Sequence, residues 1–139
     1  MHVEITLTQE PIGPAAALAP ELAGAVGGLV EFLGVVRGEE DGRPIAALEY
    51  EAYSDMAVRE MRRVVDELAA LHPCLVVSIV HRLGVIPVGE PAILVRVGAA
   101  HRAEAFALLA AFMDRLKQDV PIWKVRAVPL ASAANAKRS

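Results

Sequence analysis

Two apolar periodicities alternate along the chain, and their order constrains the fold more than any other feature of the sequence. Apolar residues recur at every second position, or form short runs rich in Val, Ile and Leu, in segments that we expect to be strands. These predicted strands cover residues 3–7, 27–36, 48–53, 75–81, 92–97 and 122–128. Helical spacing instead appears between Ser54 and Pro73, and again from near His101 until Pro121. Because the strands come in pairs around two helices, the sequence predicts an α+β fold with a mainly antiparallel sheet.

Each predicted helix has one apolar face, which identifies the side chains that should be buried. In the first helix, with Ser54 as its predicted N-cap, that face comprises Ala57, Met61, Val64, Val65, Leu68 and Leu71. In the second helix it comprises Phe106, Leu109, Ala110, Met113 and Leu116. Residues 27–36 are mostly apolar residues and glycine, and they are expected to form a buried strand. The connections 38–44 and 84–91, which contain glycine and proline, are expected to be a turn and a long loop.

Size, charge and cysteine content exclude several classes of protein. A chain of 139 residues fits one domain, which we place at residues 1–130, with a small-residue tail at 131–139 that is expected to be flexible. The net charge of −3 argues against nucleic-acid binding through general electrostatics. We expect a cytoplasmic protein with no membrane contact, because no apolar run approaches the ~18 residues of a membrane span and the first residues lack a signal-peptide pattern. Cys74 is the only cysteine, so we expect no internal disulfide and no Cys/His set with zinc spacing. We also expect no metal and no cofactor.

The dipeptide His101-Arg102 lies where the second helix is predicted to start, and it is a candidate anion site. Unpaired backbone N–H groups and the positive end of the helix dipole already favour an anion there, and an imidazole and a guanidinium would add to them. An exposed first-turn pair without a ligand explains the position equally well. The same dipeptide at His81-Arg82 lies in a predicted strand without a helix terminus, and a structural role is the better interpretation there.

Lysine is scarce in this chain, which makes the positions of the lysines informative. Eleven of the 14 Lys and Arg residues are arginine, and the lysines are Lys117, Lys124 and Lys137. The two internal lysines are candidates for positions where an amine is specifically required, as a proton donor, a nucleophile or a compact charge, although chance explains the bias equally well. Arg37 closes a predicted strand, and from there a guanidinium can point into a site at the end of the sheet.

Five sequence blocks keep a characteristic order and spacing between about Gly27 and Arg126. They are Phe32-Leu-Gly-Val-Val-Arg37, Leu48-Glu-Tyr-Glu-Ala-Tyr53, Val80-His-Arg-Leu-Gly84, Val97-Gly-Ala-Ala-His-Arg102 and Leu116-Lys-Gln-Asp-Val-Pro-Ile-Trp-Lys124. Taken together, they resemble the large, catalytic subunits of molybdopterin synthase, the MoaE family. The tandem of Ala-His-Arg and Pro-Ile-Trp-Lys is specific to that family.

The resemblance implies an α/β-hammerhead-type fold and a homodimer that carries one small ubiquitin-like subunit on each protomer, which gives a heterotetramer. In the family, the C-terminal Gly-Gly of the small subunit bears a thiocarboxylate. Two such donors in turn would deliver two sulfurs to cyclic pyranopterin monophosphate and form the dithiolene of molybdopterin. The expected activity is therefore sulfur transfer in molybdenum cofactor biosynthesis, and an enzyme that receives sulfur from a partner needs no second cysteine.

The resemblance also implies which residues form the site. The substrate-binding positions of the family fall on Arg37, His101, Arg102, Lys117, Lys124 and Arg126. Lys117 and Lys124 are the expected catalytic residues, with Lys117 nearest the incoming thiocarboxylate, and one protomer is a candidate donor of residues to the site of its mate. The sequence departs from the family after Lys124, where a basic residue and a glutamate are common but Val125-Arg126 follow, so an acidic contact is missing or replaced.

A second hypothesis comes from a different functional class. A non-catalytic, homo-oligomeric sensor would bind a phosphorylated metabolite through His101-Arg102 and the lysines. This hypothesis explains the candidate anion site as well as the synthase does. It does not explain why five separate blocks fall in register with one enzyme family.

Overall fold

The computed structural model describes residues 1–130, which form eight strands and two long helices. The strands are β1 (His2–Thr8), β2 (Gly28–Val35), β3 (Glu39–Glu40), β4 (Arg43–Ala52), β5 (Val76–Arg82), β6 (Gly84–Pro87), β7 (Pro91–Ala99) and β8 (Ile122–Pro129). The helices are α1 (Ser54–Leu71) and α2 (Arg102–Asp119), and a short 3-10 turn spans Pro20–Leu22. The predicted α+β fold is confirmed, whereas the predicted tail at 131–139 lies outside the described residues.

The strands form two sheets. The main sheet has the order β1-β5-β7-β2, in which β1 pairs with β5 in parallel and the other pairs are antiparallel. In the second sheet, β4 pairs with β3, β6 and β8, always antiparallel. The mainly antiparallel pairing agrees with the prediction. Strands β3 and β6 were expected to be turn and loop, and they are only 2 and 4 residues long, too short for a periodicity to reveal them.

Both helices pack on the same face of the main sheet and form the larger of two apolar cores with it. Met61 and Val65 of α1 and Phe112 of α2 are fully buried there, together with Ile79 of β5 and Val95 of β7. Burial of each such side chain contributes about 1.5–3 kcal/mol to folding. Within residues 1–130, neither helix is long and apolar enough to cross a membrane.

The prediction of a buried strand at residues 27–36 was wrong. The strand exists as β2, but within residues 1–130 β2 is the edge of the main sheet and pairs only with β7. Leu29, Leu33 and Val35 are 40%, 50% and 48% exposed. Apolar content alone cannot separate a central strand from an edge strand, because both bury apolar side chains against something.

Several details of the predicted helices were also wrong. Phe106 and Leu71 are 57% and 72% exposed, and Ala110 is exposed as well. The buried residues of α2 are Ala105, Leu108, Leu109 and Phe112. Phe106 lies one position beyond Ala105, which turns its side chain about 100° away from the core. Helix α1 begins at Ser54 with Tyr53 as its N-cap, and no side chain caps it.

We predict that Phe112→Ala will strongly destabilise the chain, whereas Phe106→Ala on the same helix will not. Phe112 is fully buried, so truncation leaves a cavity and should lower the free energy of unfolding by about 3–5 kcal/mol. The exposed Phe106 should change it by less than about 0.5 kcal/mol. Urea denaturation of both variants at one protein concentration provides the measurement. Equal losses in the two variants would contradict the observed face of α2.

Candidate functional site

The predicted site residues lie in two groups at opposite ends of β2. Arg37 follows the last residue of β2 by two positions. At the other end, Gly28 approaches the start of α2 so closely that a Cβ atom would lie 2.9 Å from the Cα of Arg102. The strand has 8 residues, so its ends are about 23 Å apart at ~3.3 Å per residue. One protomer therefore does not bring Arg37 and Arg102 together.

Helix α2 runs from the end of the protomer that contains Arg102 to the end that contains Arg37. Strand β7 is antiparallel to β2 and ends at Ala99, just before α2, which packs back against both strands. Lys117, in the last turn, is about 22 Å along the helix axis from Arg102 at ~1.5 Å per residue. Lys124 follows in β8. Arg37, Lys117 and Lys124 thus share one end of the protomer, and His101 and Arg102 occupy the other.

A narrow cavity of about 170 Å³ lies at the Arg37 end. Arg37, Glu40, Tyr50 and Lys124 are among its polar lining groups, whereas Lys117 is not part of its wall. Arg37 also borders a more open depression of about 510 Å³ beside the β3–β4 turn. Ligand pockets for small molecules usually enclose about 300–1,000 Å³. The narrow cavity is therefore too small to enclose a substrate of that size by itself.

A larger cavity lies elsewhere and contains none of the predicted site residues. It measures about 480 Å³ and lies between residues 16–19 and β1, β5 and β7, with Ser78 and Arg96 in its wall. The Arg96 guanidinium is already committed, because its Nε lies 2.9 Å from a carboxylate oxygen of Glu31 and its Nη1 donates to the carbonyl oxygen of Ala16. The size of this cavity therefore does not make it the better candidate.

A β-bulge at Val125 sets the direction of the Lys124 side chain. Lys124 pairs with Tyr50 of β4, whereas Arg126 pairs with Glu49, so Val125 is the extra residue. Neighbouring residues of β4 point to opposite faces of the sheet. Lys124 therefore lies on the face of Tyr50 and the cavity, and Arg126 on the opposite face.

Arg126 is engaged on that opposite face. Its Nε donates to Oε1 of Glu49 over 2.7 Å. In a regular strand, residues 124 and 126 would share a face, as the grouping of Arg126 with Lys124 assumes. The structure does not bring Arg126 to the cavity with Lys124. The sequence after Lys124 lacks the acidic residue that is common in the family. Strand β4 instead provides an acidic contact to Arg126.

The Lys124 ammonium is held by a carboxylate at the cavity. Its Nζ donates to Oε2 of Glu40 over 3.0 Å, although 84 positions separate the two residues in sequence. The Tyr50 ring, on the same face, is half-buried, and this burial raises the pKa of its phenol, with the Lys124 charge acting in the opposite direction. A protonated phenol, an ammonium and a carboxylate therefore line one wall.

Behind this wall, His81 and Arg82 have the structural role expected of them, because both side chains are buried. The ring of His81 contacts that of Tyr50 edge-on, with 5.3 Å between centroids. Burial lowers the pKa of His81, whose Nδ1 lies 2.7 Å from the carbonyl oxygen of Arg82. Arg82 binds the carboxylate of Glu90 at 2.8 Å, and the Glu90 carbonyl accepts the N–H of Val36, next to Arg37. The pair thus supports Tyr50 and the backbone beside Arg37.

His101 and Arg102 are both exposed at the start of α2. His101 is the N-cap residue, and its side chain makes no capping hydrogen bond. Among residues 1–130, no acidic side chain forms a salt bridge with Arg102 or with Arg37. Both guanidinium groups are therefore available to an external anion, and at Arg102 the helix terminus adds to the attraction.

The cysteine and the possible metal ligands provide no second centre. Cys74 is half-buried, and its Sγ lies 3.6 Å from the carbonyl oxygen of Glu104. Burial, and then the charge of Glu104, raise the pKa of its thiol, which disfavours the reactive thiolate. In the described range 1–130, no group of three or more His, Cys, Asp or Glu residues is arranged to hold a metal ion.

Sequence reasoning missed Glu40 and Tyr50 as members of this site. Glu40 lay in a segment expected to be only a turn. The alternating pattern did place Tyr50 on a strand, but it gave no indication of which face would meet Lys124. Both residues reach the cavity through contacts that are distant in sequence.

Comparisons with known proteins agree with the resemblance noted from the sequence blocks. The family model of the MoaE protein matches residues 7–119. A molybdopterin synthase catalytic subunit from Pyrococcus abyssi is 45% identical over 108 residues, which are 78% of this chain and 73% of the relative.

Solved structures give the same result. A molybdopterin synthase from Staphylococcus aureus has a TM-score of 0.73 and 33% identity, and the match covers 85% of this chain and 86% of that chain. A protein-protein complex of subunits 1 and 2 of molybdopterin-converting factor from Helicobacter pylori contains a chain with a TM-score of 0.65. It is 21% identical over 91% of this chain and 88% of that chain, a likeness that concerns the fold alone. On the family match and the relatives of higher identity, the chain belongs to the MoaE protein family.

Proposed function

We propose that this chain is an enzyme that transfers sulfur from the C-terminal thiocarboxylate of a small ubiquitin-like subunit to cyclic pyranopterin monophosphate, forming the dithiolene of molybdopterin. The relatives from Pyrococcus abyssi and Staphylococcus aureus support this activity, because they are named as molybdopterin synthases or their catalytic subunit. The non-catalytic sensor has no such support. Residues 1–130 are the proposed functional domain, and a cytoplasmic location stays a prediction.

The separation of the two cationic groups along an exposed edge strand is the observation that carries the proposal. In the part of the chain that the structure describes, no strand pairs with the outer edge of β2, and Leu29, Leu33 and Val35 of this strand are exposed. Edge strands and exposed apolar residues favour association with another chain. If a two-fold axis crosses β2 near its middle, the start of β2 in one protomer lies beside the end of β2 in its partner.

This dimer would complete a site that one protomer leaves incomplete. His101 and Arg102 lie beside the start of β2, and Arg37 and the Lys124 cavity lie at its end. The two-fold relation brings the first group of one protomer to the second group of the other, and it forms two such sites. Arg37, His101 and Arg102 would then bind the phosphate and the polar pterin edge through charge-assisted hydrogen bonds. The wider space between protomers would hold the pterin.

The small subunit is the proposed second partner. The resemblance of the five sequence blocks implies this partner, and the Helicobacter pylori structure of the same fold is described as a complex of subunits 1 and 2 of molybdopterin-converting factor. A Gly-Gly tail has no side chains beyond hydrogen, so its extended backbone suits a cavity of about 170 Å³. The tail carbonyl would then lie near Lys124. Lys117, which the resemblance places nearest the thiocarboxylate, lies at the same end of the protomer but outside the cavity wall.

The two lysines have a role at the acyl carbon of the tail. The thiocarboxylate sulfur first attacks an electrophilic carbon of the precursor, a carbon–oxygen bond at that carbon breaks, and the oxygen takes the electron pair and a proton. A thioester then joins the tail to the precursor. Water attacks the acyl carbon, the bond from that carbon to sulfur breaks, and the tail leaves as a carboxylate while sulfur stays on the precursor. The addition step places negative charge on the carbonyl oxygen, and a positioned ammonium stabilises or protonates that oxygen.

The activity itself is tested by mixing the chain with a thiocarboxylated small subunit and cyclic pyranopterin monophosphate. Mass spectrometry should detect a product that has gained two sulfurs. A stable complex without product would indicate a member of the family that has lost activity. Absence of any complex would return attention to the sensor hypothesis.

We predict that Lys117→Ala and Lys124→Ala will each lower kcat by about 10²–10⁴-fold, the usual contribution of a group that stabilises or protonates a developing charge. Both lysines are exposed, so neither variant should lose the dimer or its thermal stability. Single-turnover assays give the rate, and analytical ultracentrifugation gives the assembly. Full turnover by the Lys117 variant would exclude its assigned role.

We also predict that two impaired variants will restore activity when they are mixed, if the site is shared between protomers. After exchange of subunits, half of the dimers formed by Arg102→Ala and Lys124→Ala are mixed, and each mixed dimer has one intact site. About a quarter of wild-type activity should return at precursor concentrations below KM. The matched control mixes Lys117→Ala with Lys124→Ala, whose defects lie at the same end and leave no intact site. Recovery in the control, or none in the test pair, would show that the site is not shared in this way.

A further inference from the structure

We infer that Glu40 is a positioning residue that holds the Lys124 ammonium at the cavity for the sulfur-transfer reaction. This inference rests on the proposed function and extends it to a residue that none of the sequence blocks contains. It starts from one ion pair, in which Oε2 of Glu40 lies 3.0 Å from Nζ of Lys124. Both side chains are part of the cavity wall that also contains Arg37 and Tyr50.

The backbone of Glu40 is held in a defined place. Glu39 and Glu40 pair with Pro44 and Arg43 to form a hairpin, which turns through Asp41 and Gly42. These turn residues have φ angles of 52° and 76°, the left-handed conformations of a tight hairpin turn that Asp-Gly sequences favour. The hairpin is closed further by the N–H of Ile45, which donates to the carbonyl of Gly38 over 3.1 Å. Glu40 therefore presents its carboxylate from a short, fixed element.

The carboxylate is less accessible than the ammonium that it binds. The Glu40 side chain is 22% exposed and that of Lys124 is 49% exposed. Tyr50 is the strand partner of Lys124, and the charges of Lys124 and Glu40 both act on the pKa of its phenol. Glu40, Tyr50 and Lys124 thus lie close together in one wall of the cavity, and His81 contacts the Tyr50 ring.

The ion pair contributes little to the stability of the fold. Its main effect is on the position of the Lys124 ammonium. A pair with one half-exposed partner contributes little to folding. A free lysine side chain, however, has many rotamers, and an ammonium must occupy one place to stabilise a developing oxyanion. Glu40 restricts Lys124 to the cavity before the tail arrives. A displacement of the ammonium by about 1 Å is enough to lower a rate strongly.

A competing role for the same carboxylate predicts the opposite sign. If Glu40 merely occupied the place of a substrate anion, its removal would free Lys124, lower KM and leave or raise kcat. A positioning role predicts a lower kcat with an unchanged KM for the precursor, because the precursor phosphate is assigned to Arg37, His101 and Arg102. The two roles therefore separate in steady-state kinetics.

We predict that Glu40→Gln will lower kcat about tenfold with KM within about twofold of the wild type, and that Glu40→Asp, which keeps the charge but withdraws the carboxylate by one methylene, will give a kcat between those of Glu40→Gln and the wild type. The holoenzyme with its thiocarboxylated small subunit is used throughout. The matched control is Glu60→Gln, which removes a surface carboxylate paired with Arg63 at 2.6 Å on α1 and outside the cavity wall. The control should turn over like the wild type.

A second measurement does not depend on activity. In ¹⁵N-labelled protein, the ammonium signals of Lys117 and Lys124 can be assigned from the Lys117→Arg and Lys124→Arg variants. Glu40→Gln should increase the mobility of the Lys124 ammonium and so change the linewidth of its signal. The Lys117 signal should stay unchanged. An unchanged Lys124 signal would overturn the inference, as would wild-type kcat in Glu40→Gln or a lowered KM with undiminished kcat. If the wild type forms no product but Glu40→Gln still mobilises Lys124, the proposed function fails while the ordering of Lys124 by Glu40 stands.

Discussion

Burial of β7 is the constraint on which the rest of the structure depends. This strand pairs along both edges, with β5 and β2, and Ile93, Val95 and Val97 on its inner face are buried in the larger core. Its central position leaves β2 at the edge of the sheet. Its direction also determines where α2 begins, because the helix follows Ala99 almost at once and must pack back over the same strands. One buried strand therefore places the candidate anion site, His101-Arg102, at one end of β2 and the lysines at the other.

Close backbone contacts fix both ends of β2 relative to the neighbouring elements. Gly27 and Gly28 lie against Ala100 and Arg102, at distances where an added Cβ would collide with the backbone. The start of α2 is thus fixed to the start of β2, and the imidazole and guanidinium have a defined origin. At the other end, Gly89 and Glu90 exchange backbone hydrogen bonds with Val36, and Arg82 holds the Glu90 carboxylate. Neither cationic group depends on a flexible loop for its position.

The sequence predicted the elements well and their mutual placement less well. Proline at 73 and 121 marked the ends of both helices, since proline cannot continue a helix, and the helical spacing from near His101 marked the start of α2. The edge position of β2 could not be predicted, because the composition of residues 27–36 suits burial against either a sheet or another chain. The bulge at Val125 has no sequence signal, as valine is common in regular strands. Glu40 and Lys124 meet across 84 positions, a contact that no local pattern contains.

A site divided between protomers makes the chemistry depend on assembly. The chain has a net charge of −3, so an anion is attracted only where cations are concentrated locally. In one protomer, Arg37 and Arg102 are each exposed, and a single exposed charge binds an anion weakly in water. The proposed dimer brings these groups around one ligand and excludes water from between them, which strengthens each charge-assisted hydrogen bond. A lone protomer would then bind its substrate poorly, and a reactive thiocarboxylate would meet a competent site only in the complete assembly.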